Sequence, residues 1–182
     1  MKCKSVGLVA LGMMLVAVPL AGQTDIKTRG YFGVGGGLSI PVGDFADAAK
    51  TGWVGSAFGG FTTKGGIFGG RADLMWAQNG FDGVDGHQRF LGANVDGVLT
   101  PGHRPANVHP YFLAGVGVYN GKTSVSAGSG DATKLALNAG VGVQIHTGHR
   151  MDVFFEGRIV SFRASEALNF LPLTIGLRWG GI

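Results

Sequence analysis

The chain has little of what a soluble globular or disulfide-linked protein usually contains. Its single cysteine, Cys3, cannot form a disulfide within the chain or a cysteine-based metal site. Charged residues make up 14% of the 182 residues, against about 25% in ordinary soluble domains. Past the N-terminus, no apolar run reaches the ~20 residues of a membrane helix. The formal net charge is only +4, and the sequence contains no cluster of Lys and Arg residues. Nucleic acid is therefore not an expected partner.

The first residues of the chain have the order of an export signal. Two lysines precede an apolar stretch over residues 6–20, and small residues follow it. We therefore predict a cleavable signal peptide over residues 1–22 and one domain over residues 23–182. A membrane anchor is the alternative, but the apolar stretch is short and a polar segment comes after it.

Glycine is abundant, at 35 of 182 residues, and hydrophobic residues recur at every second position in short segments. The clearest of these segments are 135–145 and 171–179. Because successive side chains of a strand point to opposite faces, each segment has one apolar face and one small or polar face. The predicted strands cover residues 30–40, 53–62, 67–78, 87–100, 111–120, 135–145, 152–162 and 171–179.

The distribution of charge over the two strand faces predicts a barrel that is apolar on its outside. Mid-strand charges share their face with Gly, Asn, Gln and Thr, and the opposite faces carry no charge there. An arginine or lysine facing lipid at the bilayer midplane costs about 2–4 kcal/mol, so the charged face is assigned to the lumen. The predicted fold is an all-β, eight-stranded antiparallel transmembrane up-and-down β-barrel. A soluble sandwich or a secreted ligand-binding barrel, with its apolar face inward, is an alternative.

The predicted lumen positions form a polar network to which we assign a structural role. An eight-stranded barrel is so narrow that side chains fill it, which favours a plug of paired charges over a gated pore. Arg178 should need a carboxylate partner inside such a plug. Three tryptophans near strand ends are predicted to lie at the membrane interfaces. The network residues are Arg71, Asp73, Asn94, Asp96, Asn138, Gln144, Glu156, Arg158 and Arg178, and the interface aromatics are Trp53, Trp76 and Trp179.

Some segments do not follow the alternation. Both faces of the strand at 53–62 are apolar or small, so its sides cannot be assigned. Apolar residues at 154, 160 and 162 interrupt the polar face of the seventh strand. Residues 121–131 are predicted to form a flexible loop, and residues 101–110 a long connection with prolines at both ends.

Three features of the chain resemble the small outer-membrane β-barrels of Gram-negative bacteria, the OmpA/OmpX-like family. They are the export signal, the Gly-rich opening strand that ends in Ile-Pro-Val-Gly-Asp-Phe at 40–45, and the closing strand at 171–179. This resemblance implies an outer-membrane location among lipid and lipopolysaccharide. It also implies assembly by the barrel-assembly machinery, which reads the C-terminal strand. Family members usually end on an aromatic residue, whereas Gly-Gly-Ile follows Trp179 here. With an even number of strands, both termini should be periplasmic.

We predict a structural or surface-interaction role through the extracellular loops, without a catalytic, metal or cofactor site. The alternative is a lipid-modifying enzyme of the same fold, such as a lipid A deacylase or acyltransferase, with a His/Ser site near the outer rim. Ser161, Ser165 and Glu166 lie near that rim, but no histidine accompanies them. Around the opposite turns, no cysteine or nearby carboxylate is expected to complete a metal site with the histidines. Those histidines are His103, His109, His146 and His149.

Overall fold

The computed structural model describes residues 28–47, 49–63, 65–81, 86–101, 107–125, 128–148, 151–162 and 169–180. The predicted signal peptide lies outside the described residues. No described segment is a helix long and apolar enough to cross a membrane. The elements are β1 Thr28–Val42, the 3₁₀ helix Gly43–Phe45, β2 Gly52–Thr63, β3 Phe68–Gly80, β4 Gly86–Leu99, β5 Val108–Val125, β6 Gly128–His146, β7 Met151–Phe162 and β8 Asn169–Gly180.

The eight strands form a closed barrel. Each strand pairs antiparallel with the next, and β8 returns to pair with β1. The closing register runs from Tyr31 opposite Gly180 to Val42 opposite Asn169. Closure lets the backbone groups of the wall bond to neighbouring strands, which a sheet inside a bilayer requires. The predicted eight-stranded antiparallel up-and-down barrel is confirmed.

The barrel has two ends with different connections. At the end that we call the loop end, β1, β3, β5 and β7 connect to the strands that follow them. We call the other end the terminal end, because β1 begins there and β8 finishes there. The connections from β2 to β3, from β4 to β5 and from β6 to β7 are at this end as well.

Side chains alternate between the outside and the lumen along every strand. On the outside, Val95 and Leu135 are 66% and 65% exposed, whereas the lumen residue Arg158 is 1% exposed. In β2, Val54 and Phe58 point into the lumen and Trp53 points outward, which assigns the sides that the sequence left open. The barrel therefore presents an apolar belt of exposed Leu, Val, Ile and Phe side chains, as a lipid-facing wall must.

The largest difference from the predicted strands is in β5 and β6. The expectation of a flexible loop over residues 121–131 is wrong, because Gly121 to Val125 pair with Gly128 to Ala132 and extend the hairpin. Glycine and serine in this stretch suggested a loop, whereas the β-branched residues among them favour an extended chain.

The connection between β4 and β5 is also shorter than predicted, because β5 begins at Val108. Pro110 pairs with Val143 of β6 but lies beyond the pairing with β4, which ends where Leu99 faces Phe112. At Pro110 the strand therefore pairs with β6 but not with β4. Proline is tolerated at such a position because it has no N–H to donate to a second neighbouring strand. The other predicted strand boundaries differ from the observed ones by two residues at most.

Glycines on the lumen face make room for large side chains on the neighbouring strand. Tyr119 lies over Gly92, its direct cross-strand partner, so closely that a β-carbon on Gly92 would collide with the ring. The same arrangement recurs inside the barrel, and with Gly92 it accounts for six of the 35 glycines. The other such pairs are Gly33 with Phe58, Gly60 with Tyr31, Gly142 with Tyr111, Gly117 with Asn94, and Gly115 with Asp96.

We predict that Gly92→Ala lowers the stability of the barrel by about 1–3 kcal/mol, because the new methyl group overpacks the space that Tyr119 occupies. The matched control is Gly55→Ala, where a β-carbon would meet no atom within 4 Å. Urea unfolding of both variants in detergent or lipid checks this. Equal midpoints for Gly92→Ala and Gly55→Ala would contradict the packing argument.

Candidate functional site: the barrel lumen

The middle of the lumen is filled by a layer of buried polar side chains from β3, β4, β6 and β7. Every member is at most 5% exposed. The sequence indicated these positions because a charge in the middle of a spanning strand has to face away from lipid. We call this set the middle layer, and it consists of Arg71, Asp73, Asn94, Asp96, Asn138, Glu156 and Arg158.

Arg71 holds Glu156 across the lumen. Its Nη1 donates to Oε2 of Glu156 at 2.6 Å, and its Nη2 reaches Oε1 at 3.4 Å. Its Nε lies 3.4 Å from Oδ2 of Asp73, and its guanidinium stacks 3.9 Å from the centre of the Phe58 ring. The guanidinium thus meets two carboxylates and an aromatic face, so its charge is compensated without water.

Arg158 lies among the three carboxylates of the middle layer. Its Nη atoms lie 3.2 Å from Oδ2 of Asp73 and 3.0 Å from Oε1 of Glu156, and Nη1 lies 3.2 Å from Oδ2 of Asp96. The hydroxyl of Tyr111 donates to Glu156 at 2.8 Å. This side chain connects β3, β4 and β7 through one charge, which makes it the central residue of the layer.

The two asparagines extend the layer towards β6. Asn94 donates its Nδ2 to Oδ1 of Asp73 at 2.8 Å. Asn138 donates its Nδ2 to Oδ1 of Asn94 at 3.4 Å. These bonds link a carboxylate of β3 to side chains of β4 and β6, so the polar contacts of the middle layer also extend to β6.

A second polar cluster lies nearer the terminal end. Arg178 donates to Oε1 of Gln144, and Gln144 donates to Asp152. The guanidinium of Arg178 also lies 3.8 Å above the Tyr31 ring. On the described strands the carboxylate expected near Arg178 is Asp152, which Arg178 reaches through the amide of Gln144 and not by direct contact. A cavity of about 20 Å³ beside these side chains has room for about one water molecule.

Towards the loop end, the lumen is closed by aromatic rings. Phe90 stacks on Phe170 and on Phe162, with ring centres 5.5 Å apart in both pairs. Tyr119 packs edge-on against Phe162 at 5.3 Å. All four rings are at most 4% exposed. This aromatic layer was missed from the sequence, although the apolar residues on the inner face of β7 were its signal.

The connection between β1 and β2 is fastened to the lumen side of β3. Asn79 donates its Nδ2 to the carbonyl oxygens of Ser39 and Lys50 at 2.9 and 3.0 Å. The hydroxyl of Ser39 donates back to Oδ1 of Asn79 at 2.9 Å. Both side chains are fully buried, so these bonds hold the loop end of β1 and β3 together beside the aromatic layer.

Above the aromatic layer, the extended β5–β6 hairpin encloses a cavity of about 300 Å³ that opens at the loop end. Its floor consists of Phe90, Tyr119 and Phe162, and polar side chains including Gln88 and Lys134 line its walls. Such a cavity is the size of a small-ligand pocket, at the low end of the usual range.

The three tryptophans lie on the outside of the barrel near strand ends. Trp53 is 69% exposed at the loop end of β2, and Trp76 is 43% exposed on β3. Trp179 stacks on Phe32 at the terminal end, with ring centres 5.3 Å apart. Their role as interface anchors stays a prediction.

The sequence profile of the outer membrane protein beta-barrel domain matches residues 7–179. The chain belongs to the outer membrane protein beta-barrel domain family. It is therefore an outer-membrane β-barrel of bacteria, and the resemblance that the sequence suggested is confirmed.

Solved outer-membrane barrels share the fold at low sequence identity. Neisserial surface protein A has a TM-score of 0.65 and 12% identity, over 82% of this chain and 96% of its own. The attachment invasion locus protein of Yersinia pestis has a TM-score of 0.61 and 15% identity, over 85% and 99%. The N-terminal barrel domain of Pseudomonas aeruginosa OprF has 0.54 and 14%, over 85% and 98%. No curated protein matches the chain in sequence.

Two of the four turn histidines, His109 and His146, belong to the described residues. His146 contacts a carboxylate, because its Nδ1 lies 2.7 Å from Oδ1 of Asp152. The antiparallel register of β6 and β7 places Asp152 directly opposite His146. His103 and His149 lie outside the described residues. Within the described ranges, no group of three or more His, Cys, Asp or Glu could hold a metal ion.

We predict that Arg158→Ala destabilises the barrel by about 3–5 kcal/mol, because it leaves buried carboxylates without their shared cation. The matched control is Arg89→Ala, since Arg89 is exposed and its hydrogen bond to a described residue, Gln78, is exposed as well. Thermal unfolding and the heat-dependent gel mobility of the folded barrel measure the difference. Unchanged values for Arg158→Ala would contradict the central role of Arg158.

Proposed function

We propose that the protein is a non-catalytic barrel that interacts with partners outside the cell through its loop end. Both termini then lie in the periplasm, the signal peptide over residues 1–22 is removed, and the polar network acts as a structural plug. The observation that carries this proposal is the filled lumen. A middle layer of paired charges below a layer of stacked aromatic rings leaves contacts at the barrel's ends as the way to act on other molecules.

The shape of the loop end supports an interaction role. The last residues of β5 and the first of β6 continue as a paired hairpin, while the described part of β7 ends where Phe162 faces Ala136. Within the described chain, β6 residues 128–135 therefore have a strand partner on one side only. A strand edge with free backbone groups can accept a strand from another protein.

One structural relative offers a probe for such an interaction. The attachment invasion locus protein of Yersinia pestis has been crystallised with the heparin analogue sucrose octasulfate. Its identity to this chain is 16%, so the likeness concerns the fold, and heparin serves as a test molecule.

Biogenesis and surroundings follow from the same proposal. Outer-membrane lipid and lipopolysaccharide surround the belt, and the barrel-assembly machinery recognises the closing strand β8. On this strand Leu173, Ile175 and Leu177 face outward at 36–50% exposure, which is the apolar alternation that such recognition requires. No cofactor takes part.

The geometry of the candidate rim residues does not favour a lipid-modifying enzyme. Ser161 points outward from the loop end of β7, opposite Leu137. His146 lies at the other end of the barrel, beside Asp152. A serine nucleophile needs its base within hydrogen-bond reach, and these two side chains lie at opposite ends of the barrel. Ser165 and Glu166 lie outside the described residues.

We predict that single cysteines at the two barrel ends are labelled from opposite sides of the membrane. Lys122→Cys, on the extended hairpin, should react with a bulky maleimide on intact cells, and Thr147→Cys, at the terminal end, only after permeabilisation. Both positions are exposed. Cys3 is the only native cysteine and leaves with the signal peptide. The reverse labelling pattern would overturn the proposed orientation.

We predict that cells displaying the barrel bind immobilised heparin through the hairpin. A shortened variant replaces residues 122–131 by Asn-Gly, since Gly121 and Ala132 are direct partners that a two-residue turn can join. The variant should reach the outer membrane, keep its heat-dependent gel mobility and lose the binding. Equal binding by both proteins would argue against a role for the hairpin.

We predict that the lipid A of cells is unchanged by the presence of the protein. Mass spectra of lipid A from otherwise identical cells, with and without the protein, should show one acyl pattern. A gain or loss of an acyl chain that depends on the protein would replace the interaction role by an enzymatic one.

A further inference from the structure

The middle layer contains one more carboxylate than guanidinium groups. Arg71 and Arg158 face Asp73, Asp96 and Glu156 within bonding distance. Arg178 belongs to the cluster nearer the terminal end, where Asp152 faces it through Gln144 and also contacts His146 at 2.7 Å. An uncompensated charge inside a lumen that lipid surrounds is strongly unfavourable, so one of the three carboxylates must be neutralised by something else.

The hydrogen bonds identify which carboxylate is the weakly supported one. Glu156 accepts bonds from both arginines and from Tyr111. Asp73 accepts bonds from Arg158 and from Asn94. Asp96 is equally buried, at 2% exposed, but neither of its oxygens accepts a hydrogen bond from the described residues. Arg158 Nη1 is 3.2 Å from Asp96 Oδ2, yet its bonds go to Asp73.

A second side chain beside Asp96 has a buried oxygen to which no described residue donates a hydrogen bond. Asp96, Gly115 and Asn138 occupy one row across β4, β5 and β6, and Gly115 has no side chain to separate the other two. Asn138 uses its Nδ2 on Asn94, and its Oδ1, in a residue 5% exposed, is a buried acceptor with no donor among the described residues. Two buried groups that both need a hydrogen to be donated therefore lie side by side.

We propose that Asp96 is a proton-binding site inside the barrel wall and is a neutral carboxylic acid in the folded protein. One proton taken from solvent during folding supplies the missing positive charge, and it gives the acid an O–H donor. Its acceptors are the Oδ1 of Asn138, in the same row, and the carboxylate of Asp73, which lies with Asp96 around Nη1 of Arg158. The middle layer then has two positive and two negative charges, and the unpaired acceptors in the row are satisfied.

A metal cation would neutralise the layer as well, but the site suits it poorly. Sodium or calcium prefers several oxygen ligands, and only Asp96 and Asn138 offer free oxygens in this row. The guanidinium of Arg158, 3.2 Å from Asp96, would also repel a metal ion at that position. A proton joins the carboxyl group and leaves no charge for Arg158 to repel.

Infrared spectroscopy of the full barrel in lipid at neutral pH tests the proposal. The difference spectrum of wild type minus Asp96→Asn should contain the carbonyl band of a protonated carboxylic acid, shifted in heavy water. A difference spectrum with only carboxylate bands would overturn the proposal. Selective ¹³C labelling of aspartate in the wild type gives the same answer without a variant, because one aspartate should have a neutral carboxyl signal.

Unfolding experiments provide the second readout. Asp96→Asn keeps a donor in place of the acid O–H, so its urea midpoint should equal that of the wild type. Asp73→Asn removes a carboxylate that holds Arg158, so its midpoint should fall. A midpoint for Asp96→Asn as low as that of Asp73→Asn would overturn the proposal. So would a wild-type midpoint that depends on sodium, with N-methylglucamine as the replacement cation, while Asp96→Asn does not.

Discussion

Charges enclosed by this barrel must find their partners inside the wall, because lipid surrounds the wall and little water fits within it. Arg71 and Arg158 meet that constraint by sharing Glu156 and Asp73 at 2.6–3.4 Å. The remaining features of the lumen follow from it. Polar side chains have to come from strands on opposite sides of the barrel, so the pairing ties β3 to β7 directly across the lumen.

Filling the lumen is the second half of the same constraint. A narrow barrel can hold an arginine network and stacked rings only where neighbouring strands give up their side chains. Glycine at 92, 115 and 142 does this for Tyr119, Asp96 and Tyr111. Composition and packing are therefore linked: the glycines that make the sequence look unusual are the complement of its large lumen residues.

The fold was predictable from the sequence because lipid outside and a packed lumen inside impose opposite demands on alternate positions. That contrast is strongest in strands such as β6 and β8, and it was absent in β2, where Val54 and Phe58 are apolar lumen residues. An apolar side chain can satisfy either environment. The aromatic layer was missed for this reason, since Phe162 on an inner face looks like a break in the pattern.

The members of the middle layer were also predictable, but their partners were not. Mid-strand charges are rare enough in such a wall to mark the lumen face individually. Arg71 and Glu156, however, are 85 positions apart, and only the curvature of the closed sheet brings them together. In the same way, the contact of His146 with Asp152 depends on the register in which β6 and β7 pair.

The most direct test of this account is a double-mutant cycle across the lumen. The wild type, Arg71→Met, Glu156→Gln and the double variant are unfolded reversibly in urea, and the coupling free energy between the two side chains is obtained. The account predicts a coupling of about 1.5 kcal/mol or more, as for close, desolvated charge pairs. A coupling near zero, as for many exposed ion pairs, would show that the enclosed charges do not hold the barrel together.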